Sequence, residues 1–387
     1  MDEDRATVRF VDRLLADALR QRASDIHLQP EADGLRVRLR IDGLLTDRER
    51  PPAGIANRVV TRIKLLAGLD VAEQRLPQDG RLRRQGPGGE PLQFRVATCP
   101  SVHGEKVVLR LIEQEAPASL QGLGMPEAAR RALEAALDRP DGLILVTGPT
   151  GSGKTATLHA ALQRLNTPER NICAVEDPVE IDTRGVTQVA VNRRAGVDFA
   201  QALRAFLRQD PDVILVGEIR DAETATIATR AAQTGHLVLS TLHTRSAAGA
   251  VERLARMGVP AHDLASSLTL VVAQRLVRRL CPHCRTPQEP PAGGRAAAEA
   301  AAGYAPGRCA DCRDGFRGRH GVFQALPVTD PIADAILNGA AAREVADRAR
   351  AAGVPDLRQA GWPLVESGET TAAELERATQ EAEPWPA

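Results

Sequence analysis

The sequence predicts an α/β protein whose phosphate-binding domain is built on a sheet that contains parallel strands. Three observations support this prediction. A glycine-rich loop at residues 148–155 lies between an apolar strand and a helix, strand and helix patterns then alternate to about residue 280, and two CxxC pairs follow. Such alternation is typical of a parallel sheet flanked by helices. We therefore expect a small α+β domain, a phosphate-binding α/β domain and a four-cysteine subdomain, in that order.

Composition excludes several classes of protein. The 387 residues include 50 basic and 50 acidic ones, and 43% are hydrophobic, as in an ordinary globular protein. A formal charge of zero gives no general attraction to nucleic acid, so we expect no nucleic-acid partner. No apolar run reaches the roughly 18 residues of a membrane span, and the acidic start MDEDRATVRF lacks the pattern of a secretory signal. We therefore expect a cytoplasmic protein without direct membrane insertion.

The small α+β domain is expected over residues 1–112. Apolar residues at helical spacing in VRFVDRLLADAL predict an amphipathic helix. Apolar and arginine residues then alternate over residues 35–41, and Asp42-Gly43 predicts a hairpin turn between two strands with one basic face. A second helix is expected around residues 56–69, and three further strands follow it.

The phosphate-binding domain is expected over residues 127–280, after a linker at 113–126 that contains Pro, Gly and Ser without periodicity. Helix 127–138 and the apolar strand GLILV lead into GPTGSGKT, which satisfies GxxxxGK[ST] and is followed by a helical pattern. Glycines in this motif let backbone N–H groups turn toward phosphate oxygens. The candidate nucleotide-binding residues are Gly148, Pro149, Thr150, Gly151, Ser152, Gly153, Lys154 and Thr155.

Lysine is rare in this chain, where only Lys64, Lys106 and Lys154 occur among the 50 basic residues. The compact ammonium of Lys154 suits the β- and γ-phosphates of a nucleotide better than the planar fork of an arginine. The Thr155 hydroxyl is a candidate Mg²⁺ ligand. The motif therefore predicts ATP and Mg²⁺, and a flexible glycine-rich turn is the structural alternative.

Acidic residues end two more apolar strands. Glu218 follows VILVG, and NICAV is followed by Glu176, Asp177 and Glu180. Because parallel strands end at the same edge of a sheet, we expect these carboxylates near the phosphates. Glu218 is the best candidate to hold the attacking water or Mg²⁺, and a solvated loop is the alternative for Glu180.

Two histidines flank the strand of TGHLVLSTLHT. His236 precedes the strand and His243 follows it. A histidine in such a place can hydrogen-bond a γ-phosphate, and a structural role is the alternative for each of them.

Four cysteines predict a metal site. Cys281-x2-Cys284 and Cys309-x2-Cys312 are typical of a tetrahedral Zn²⁺ site, with redox pairs as the alternative. Four sulfur ligands leave no open position, so the metal is expected to be structural. We expect the zinc subdomain over residues 281–325, a mobile PPAGGRAAAEAAAG stretch within it, and a helical subdomain over 326–387.

Taken together, these motifs resemble those of a known family. GPTGSGKT, VEDPVE, LRQDPDVILVGEIRD and TGHLVLSTLHT resemble the Walker A, Asp box, Walker B and His box of the type II secretion and type IV pilus assembly ATPases. The stretches ASDIHLQP, RLRIDG, QDGRL and HGEKVVLRL resemble the amino-terminal domain of that family, and CPHC, CADC and GFRGRHGVF its metal subdomain. The resemblance extends over almost the entire chain.

The resemblance implies a homo-hexameric ATPase that changes shape as nucleotide turns over, with a RecA-like ATPase domain and a PAS-like amino-terminal domain. It implies that Glu218 is the catalytic carboxylate and that Glu176 orients or activates the attacking water. It implies that His236 and His243 sense the phosphate. The arginines that match family residues approaching the nucleotide across a domain or subunit boundary are Arg81, Arg95 and Arg110, and exposed charge on a strand face is the alternative for each.

Within the family, the four cysteines favour an assembly or secretion motor over a retraction motor. CPHC and GFRGRHGVF favour type II secretion, with type IV pilus assembly as the alternative. Such motors dock on inner-membrane platform proteins through a further amino-terminal domain, which we expect to be absent because the chain begins at the second domain. Gln324 and Ala174 depart from the usual glutamate and threonine. The rival hypotheses are a phosphate-loop kinase, a helicase, and a zinc-stabilised scaffold that binds ATP without hydrolysing it.

Overall fold

A computed structural model describes residues 2–85, 91–112, 119–288 and 303–380. The chain divides into two compact units, residues 1–114 and residues 115–387. Each unit has its own hydrophobic core. None of the helices in the described ranges has both the length and the apolar character that a bilayer crossing requires.

The first unit is a six-stranded antiparallel sheet with two helices packed into its core. Its strands lie in the order β3-β2-β1-β6-β5-β4. Asp42 and Gly43 both have positive φ angles, of 47° and 88°, as the predicted hairpin turn requires. In chain order the elements are α1 (Asp2–Arg20), β1 (Ala23–Glu31), β2 (Gly34–Ile41), β3 (Leu44–Asp47), α2 (Ala56–Leu66), β4 (Gln78–Gln85), β5 (Pro91–Ser101) and β6 (Gly104–Ile112).

Apolar and basic residues alternate along the strands of this unit. Val37 and Leu39 of β2 are fully buried against the helices, whereas the alternating Arg36, Arg38 and Arg40 lie on the opposite face. The period of two therefore gives the sheet one apolar face and one basic face, as predicted.

The second unit is an α/β domain on a seven-stranded mixed sheet, with apolar cores on both faces. The strand order is β15-β12-β7-β11-β10-β8-β9; β15 is antiparallel to β12 and all other neighbours are parallel. The elements that form the sheet and its helices are α3 (Glu127–Leu137), β7 (Gly142–Thr147), α4 (Lys154–Leu165), β8 (Ile172–Glu176), β9 (Val186–Ala190), α5 (Phe199–Phe206), β10 (Val213–Val216), α6 (Ala222–Gln233), β11 (Leu237–Leu242), α7 (Ala247–Arg256), α8 (Ala261–Ser267), β12 (Leu268–Leu280) and β15 (Phe316–Pro327).

A two-stranded ribbon and a set of helices complete the second unit. The ribbon, β13 (Thr286–Gln288) with β14 (Gly303–Ala305), lies beside the cysteines. The carboxy-terminal helices are α9 (Asp330–Leu337), α10 (Ala342–Ala351), α11 (Leu357–Glu366) and α12 (Ala372–Thr379).

Two predicted segments differ in the structure. In the predicted linker, residues 113–118 lie outside the described residues, whereas Leu120 and Met125 are buried in the core that α3 joins. The zinc subdomain was predicted to extend to residue 325. In the structure, β15 instead belongs to the main sheet, because it pairs with β12 and its buried Val322 and Phe323 pack in the cores on the two faces of that sheet. Nearly all of PPAGGRAAAEAAAG lies outside the described residues.

Candidate active site

The phosphate loop begins where β7 ends, at the carboxyl edge of the parallel strands. Thr147, the last residue of β7, pairs with Leu242 at the end of β11, and α4 begins at Lys154. Glycine is required at both ends of the loop. A Cβ on Gly148 would lie 2.4 Å from the carbonyl oxygen of Gln274, and one on Gly153 would lie 2.7 Å from the Gln274 Nε2.

Lys154 is folded over its own loop. Its Nζ donates to the carbonyl oxygens of Gly148 at 2.9 Å and Pro149 at 3.0 Å. Burial lowers the pKa of Lys154 to about 8; the Glu218 carboxylate opposes this shift and the Arg275 guanidinium adds to it. A buried ammonium that hydrogen-bonds only to neutral carbonyls is strongly stabilised when an anionic group binds beside it.

Two hydroxyl groups also suit a bound polyphosphate. The Oγ of Ser152 is buried and has no hydrogen-bond partner among the described residues. Thr155 lies exposed in the first turn of α4, where a Mg²⁺ ligand is expected. At a glycine-rich loop that begins a helix, these groups fit a nucleoside triphosphate and its metal.

Glu218 faces the loop from the neighbouring part of the sheet edge. Its side chain is 13% exposed and contacts the Arg220 guanidinium at 2.5 Å and the His243 Nε2 at 3.4 Å. Burial and the charge of Lys154 lower the pKa of His243, against an opposing effect of Glu218, so the imidazole is neutral near pH 7. The structure thus brings Lys154, Glu218 and His243 together at one edge of the sheet.

Glu176 reaches the same sheet edge but is held inside the protein. One carboxylate oxygen accepts from the Gln188 Nε2 at 2.8 Å, and the other lies 3.5 Å from the Nε2 of His159, which is itself buried. Asp177 is exposed and lies 3.9 Å from the Arg193 guanidinium. The Glu180 side chain is half-buried in the loop that follows β8.

The structure separates the two histidines of the third motif. His243 follows β11 at the carboxyl edge, but His236 precedes β11 at the opposite edge, where its backbone oxygen accepts from the Gly142 N–H. Its ring Nδ1 contacts the Ala231 carbonyl oxygen at 3.0 Å. Because β11 extends about 20 Å between these edges, His236 does not lie at the phosphate loop of its own chain.

The three candidate arginines form one row on the basic face of the first unit. Arg81 of β4 pairs with Arg95 of β5, and Arg95 pairs with Arg110 of β6. Asp25 of β1 is next in the row; it is buried and accepts from the Arg110 Nε at 2.7 Å. Adjacent like charges destabilise a sheet, and within the described residues Arg81 and Arg95 have no ion-pair partner. The row therefore suits an anionic ligand.

The four predicted cysteines cluster in space. Their Sγ atoms lie within 4.8 Å of one another, with separations of 3.7 Å for Cys281–Cys309 and 3.5 Å for Cys284–Cys312. A tetrahedron with metal–sulfur bonds of about 2.3 Å has sulfur–sulfur edges of about 3.8 Å. The cluster is therefore compatible with a structural zinc site.

Sequence reasoning missed several residues around the loop. Gln274 and Arg275 lie directly beneath it, and Arg220 contacts Glu218. A signal for the first two was present in the sequence, since they interrupt the apolar run LTLVVAQRLV with adjacent polar residues. His159 and Gln188 gave no signal, because only the fold brings helix α4 and strand β9 to Glu176.

Comparisons with known proteins identify the family of this chain. The family described as "Type II/IV secretion system protein" matches residues 1–377. The chain is 46% identical over 387 residues to the type IV pilus assembly ATPase PilB of Pseudomonas aeruginosa. This alignment covers 98% of this chain and 68% of that protein. It is 47% identical over 389 residues to the type II secretion system protein E of Dickeya dadantii, covering 98% of this chain and 77% of that protein.

A solved structure shows the same architecture. The pilus retraction motor PilT with bound ADP is similar to this chain with a TM-score of 0.64 and 27% identity, over 95% of this chain and 96% of that one.

Proposed function

Because the chain belongs to the type II/IV secretion system protein family and is an ATPase, we propose that Mg²⁺-dependent ATP hydrolysis here drives conformational motion of a hexameric motor. The observation that supports this most strongly is that the buried Lys154 of the phosphate loop interacts electrostatically with the carboxylate of Glu218. A scaffold that only binds ATP has no need of a carboxylate in that position.

Side chains of this site have distinct roles in the proposal. The loop amides, Ser152 and Lys154 hold the phosphates, and Thr155 would hold Mg²⁺, which when bound neutralises charge between the β- and γ-phosphates. Glu218 positions the attacking water, and Arg220 and His243 hold its carboxylate in place. Glu176 accepts a proton from the water on one carboxylate oxygen, while a hydrogen bond from Gln188 holds the other oxygen in place.

His243 is a further part of the proposed mechanism. Its neutral imidazole can donate to the γ-phosphate while that group is present and to Glu218 after it has left. Loss of the phosphate would then change the hydrogen bonds at the end of β11. The geometry does not support the same role for His236.

We propose that the row of Arg81, Arg95 and Arg110 approaches the triphosphate of a neighbouring domain or subunit. Arg81 and Arg95, which have no ion-pair partner in the part of the chain that the structure describes, favour an anion on this face. An arginine supplied in this way accelerates phosphoryl transfer by about 10³-fold or more. Hydrolysis would release the closed arrangement and so convert chemical energy into rigid-body motion. We also propose a PAS-like fold for this unit, which its antiparallel sheet with helices packed into the core supports.

In the cell, we propose a cytoplasmic motor at the inner membrane that powers type II secretion by pseudopilus assembly. Type IV pilus assembly is the second candidate, since relatives named for each system match this chain to a similar degree. Inner-membrane platform proteins would be the partners.

Zinc at the four cysteines would hold the turns around β13 and β14 together without taking part in hydrolysis.

Glu218→Gln separates a motor from a scaffold. We expect phosphate release to fall about 100-fold or more while Mg-ATP still binds, because the carboxylate acts on the water rather than on the nucleotide. Glu223→Gln, on the exposed face of α6, is the matched control and should hydrolyse ATP at the wild-type rate. Full activity of Glu218→Gln would disprove its assignment as the catalytic carboxylate.

Mixing experiments test the arginine row and the ring together. Arg95→Ala chains and Lys154→Ala chains should each be inactive alone. If the arginine acts across a subunit boundary, a mixture of the two variants regains activity. The active sites are those in which Arg95 comes from a Lys154→Ala chain and the intact phosphate loop from an Arg95→Ala chain. No recovery, with normal hexamers in light scattering, would restrict the arginine to the nucleotide of its own chain.

A further inference from the structure

We propose that Gln274 is the positioning residue that sets the shape of the phosphate loop; this inference rests on the proposed use of that loop for ATP. Gln274 lies in the middle of β12 and is 2% exposed. Its neighbours toward the start of the strand, Leu270 to Ala273, are fully buried and apolar. A buried amide is costly unless its polar atoms are satisfied, so its partners indicate what it does.

The side chain of Gln274 ties the strand to the helix that follows the loop. Thr157 of α4 is fully buried, and its hydroxyl donates to the Gln274 Oε1 at 2.7 Å. Thr157 lies one turn after Lys154 on the same helix. The bond therefore fixes the first turn of α4, whose amides end the phosphate loop, to β12, the neighbour of β7 in the sheet.

The same amide also supports the last glycine of the loop. Because Oε1 accepts from Thr157, the Nε2 is directed to the other side, and a Cβ on Gly153 would lie 2.7 Å from it. Gly153 has a φ of 88°, which only glycine adopts without strain. Gln274 thus occupies the space that a side chain at Gly153 would need.

The backbone of Gln274 supports the other end of the loop. Its carbonyl oxygen would lie 2.4 Å from a Cβ on Gly148. The same oxygen accepts from the Arg275 guanidinium at 2.9 Å, which keeps the peptide plane in place. One residue therefore contacts both glycines where the loop enters and leaves, and the loop curvature follows from the position of β12.

A merely structural glutamine would behave differently from a positioning residue. If Gln274 only filled the core, replacing it by methionine of similar length would change stability and leave nucleotide affinity unchanged. If Gln274 sets the loop shape, its replacement changes the orientation of the loop amides. The folded variant then binds ATP more weakly than wild type. Because these amides contact the phosphates both before and during hydrolysis, KM should rise while kcat stays nearly constant.

The test compares Gln274→Met, Thr157→Val and their combination with Thr229→Val. Thr229 is a matched control, because it is equally buried but donates to Ala225 within α6, away from the loop. Mg-ATP affinity and steady-state hydrolysis are measured well below each melting temperature. We expect each loop variant to weaken ATP binding about tenfold with kcat within about twofold, and the double variant to bind no more weakly than Gln274→Met alone, since both substitutions break the Thr157–Gln274 bond.

Wild-type affinity in Gln274→Met and Thr157→Val, or losses that simply add in the double variant, would overturn the proposal. Should Gln274→Met fail to fold, Thr157→Val decides alone, since it removes one hydroxyl and must bind ATP more weakly than Thr229→Val. Lys154→Ala distinguishes this outcome from failure of the proposed function. If wild type binds ATP and Lys154→Ala does not, an unaffected Gln274→Met refutes the role of Gln274 only.

Discussion

Raising the pH from 7 to 9 should weaken ATP binding about tenfold through a single group, Lys154. Burial lowers its pKa to about 8 in the free protein, so the charged fraction falls from about 0.9 at pH 7 to about 0.1 at pH 9. Only the ammonium form pairs with phosphate oxygens. Since apparent affinity follows the fraction of competent protein, the dissociation constant rises by the same factor.

The sign of this effect follows from the direction of the shift. A lysine whose pKa is lowered loses its charge as the pH rises through about 8, whereas an unperturbed lysine would stay charged to about pH 10. Bound phosphate favours the charged form and raises the pKa again, so binding near pH 8 takes up about half a proton. The terminal phosphate itself titrates near pH 6 and contributes little above pH 7.

Titration calorimetry in two buffers of different ionisation enthalpy measures both quantities. Lys154→Met should show no ATP binding and no proton uptake at either pH, because it lacks the ammonium group, whereas Lys106→Met should behave as wild type. An affinity that stays within about twofold over this range, without proton uptake, would refute the argument that Lys154 is desolvated before ATP arrives.

Three further predictions concern the rest of the molecule. Lys64→Met leaves a buried carboxylate without its partner 2.8 Å away and should lower the free energy of unfolding by about 3–5 kcal/mol in denaturant titrations; a loss below about 1 kcal/mol would contradict this. Gly153→Ala should abolish nucleotide binding, whereas Gly235→Ala, with φ of 94° and open space around it, should cost only about 1–2 kcal/mol of stability and still bind ATP. Cys309→Ser should reduce bound zinc and lower the melting temperature by several degrees in calorimetry, whereas the exposed Cys99→Ser should change neither; equal zinc content in both would exclude the cluster as the metal site.

Much of the site was determined by the sequence alone, because its signals are local. A glycine-rich loop must follow a strand and begin a helix, so GPTGSGKT fixed the residues from Gly148 to Thr155. Parallel strands end at a common edge, and this placed Glu218 and His243 with the loop. Two CxxC pairs were sufficient to predict the sulfur cluster.

Only the tertiary structure decided the rest, because strand register and packing depend on residues far apart in the chain. Register aligned Arg81, Arg95 and Arg110 in one row with the buried Asp25, an acid to which the sequence had assigned no role. The same register placed His236 at the far edge, away from its predicted role. Gln274 lies 117 residues after Thr157, and the bond between them exists only because β12 pairs beside β7.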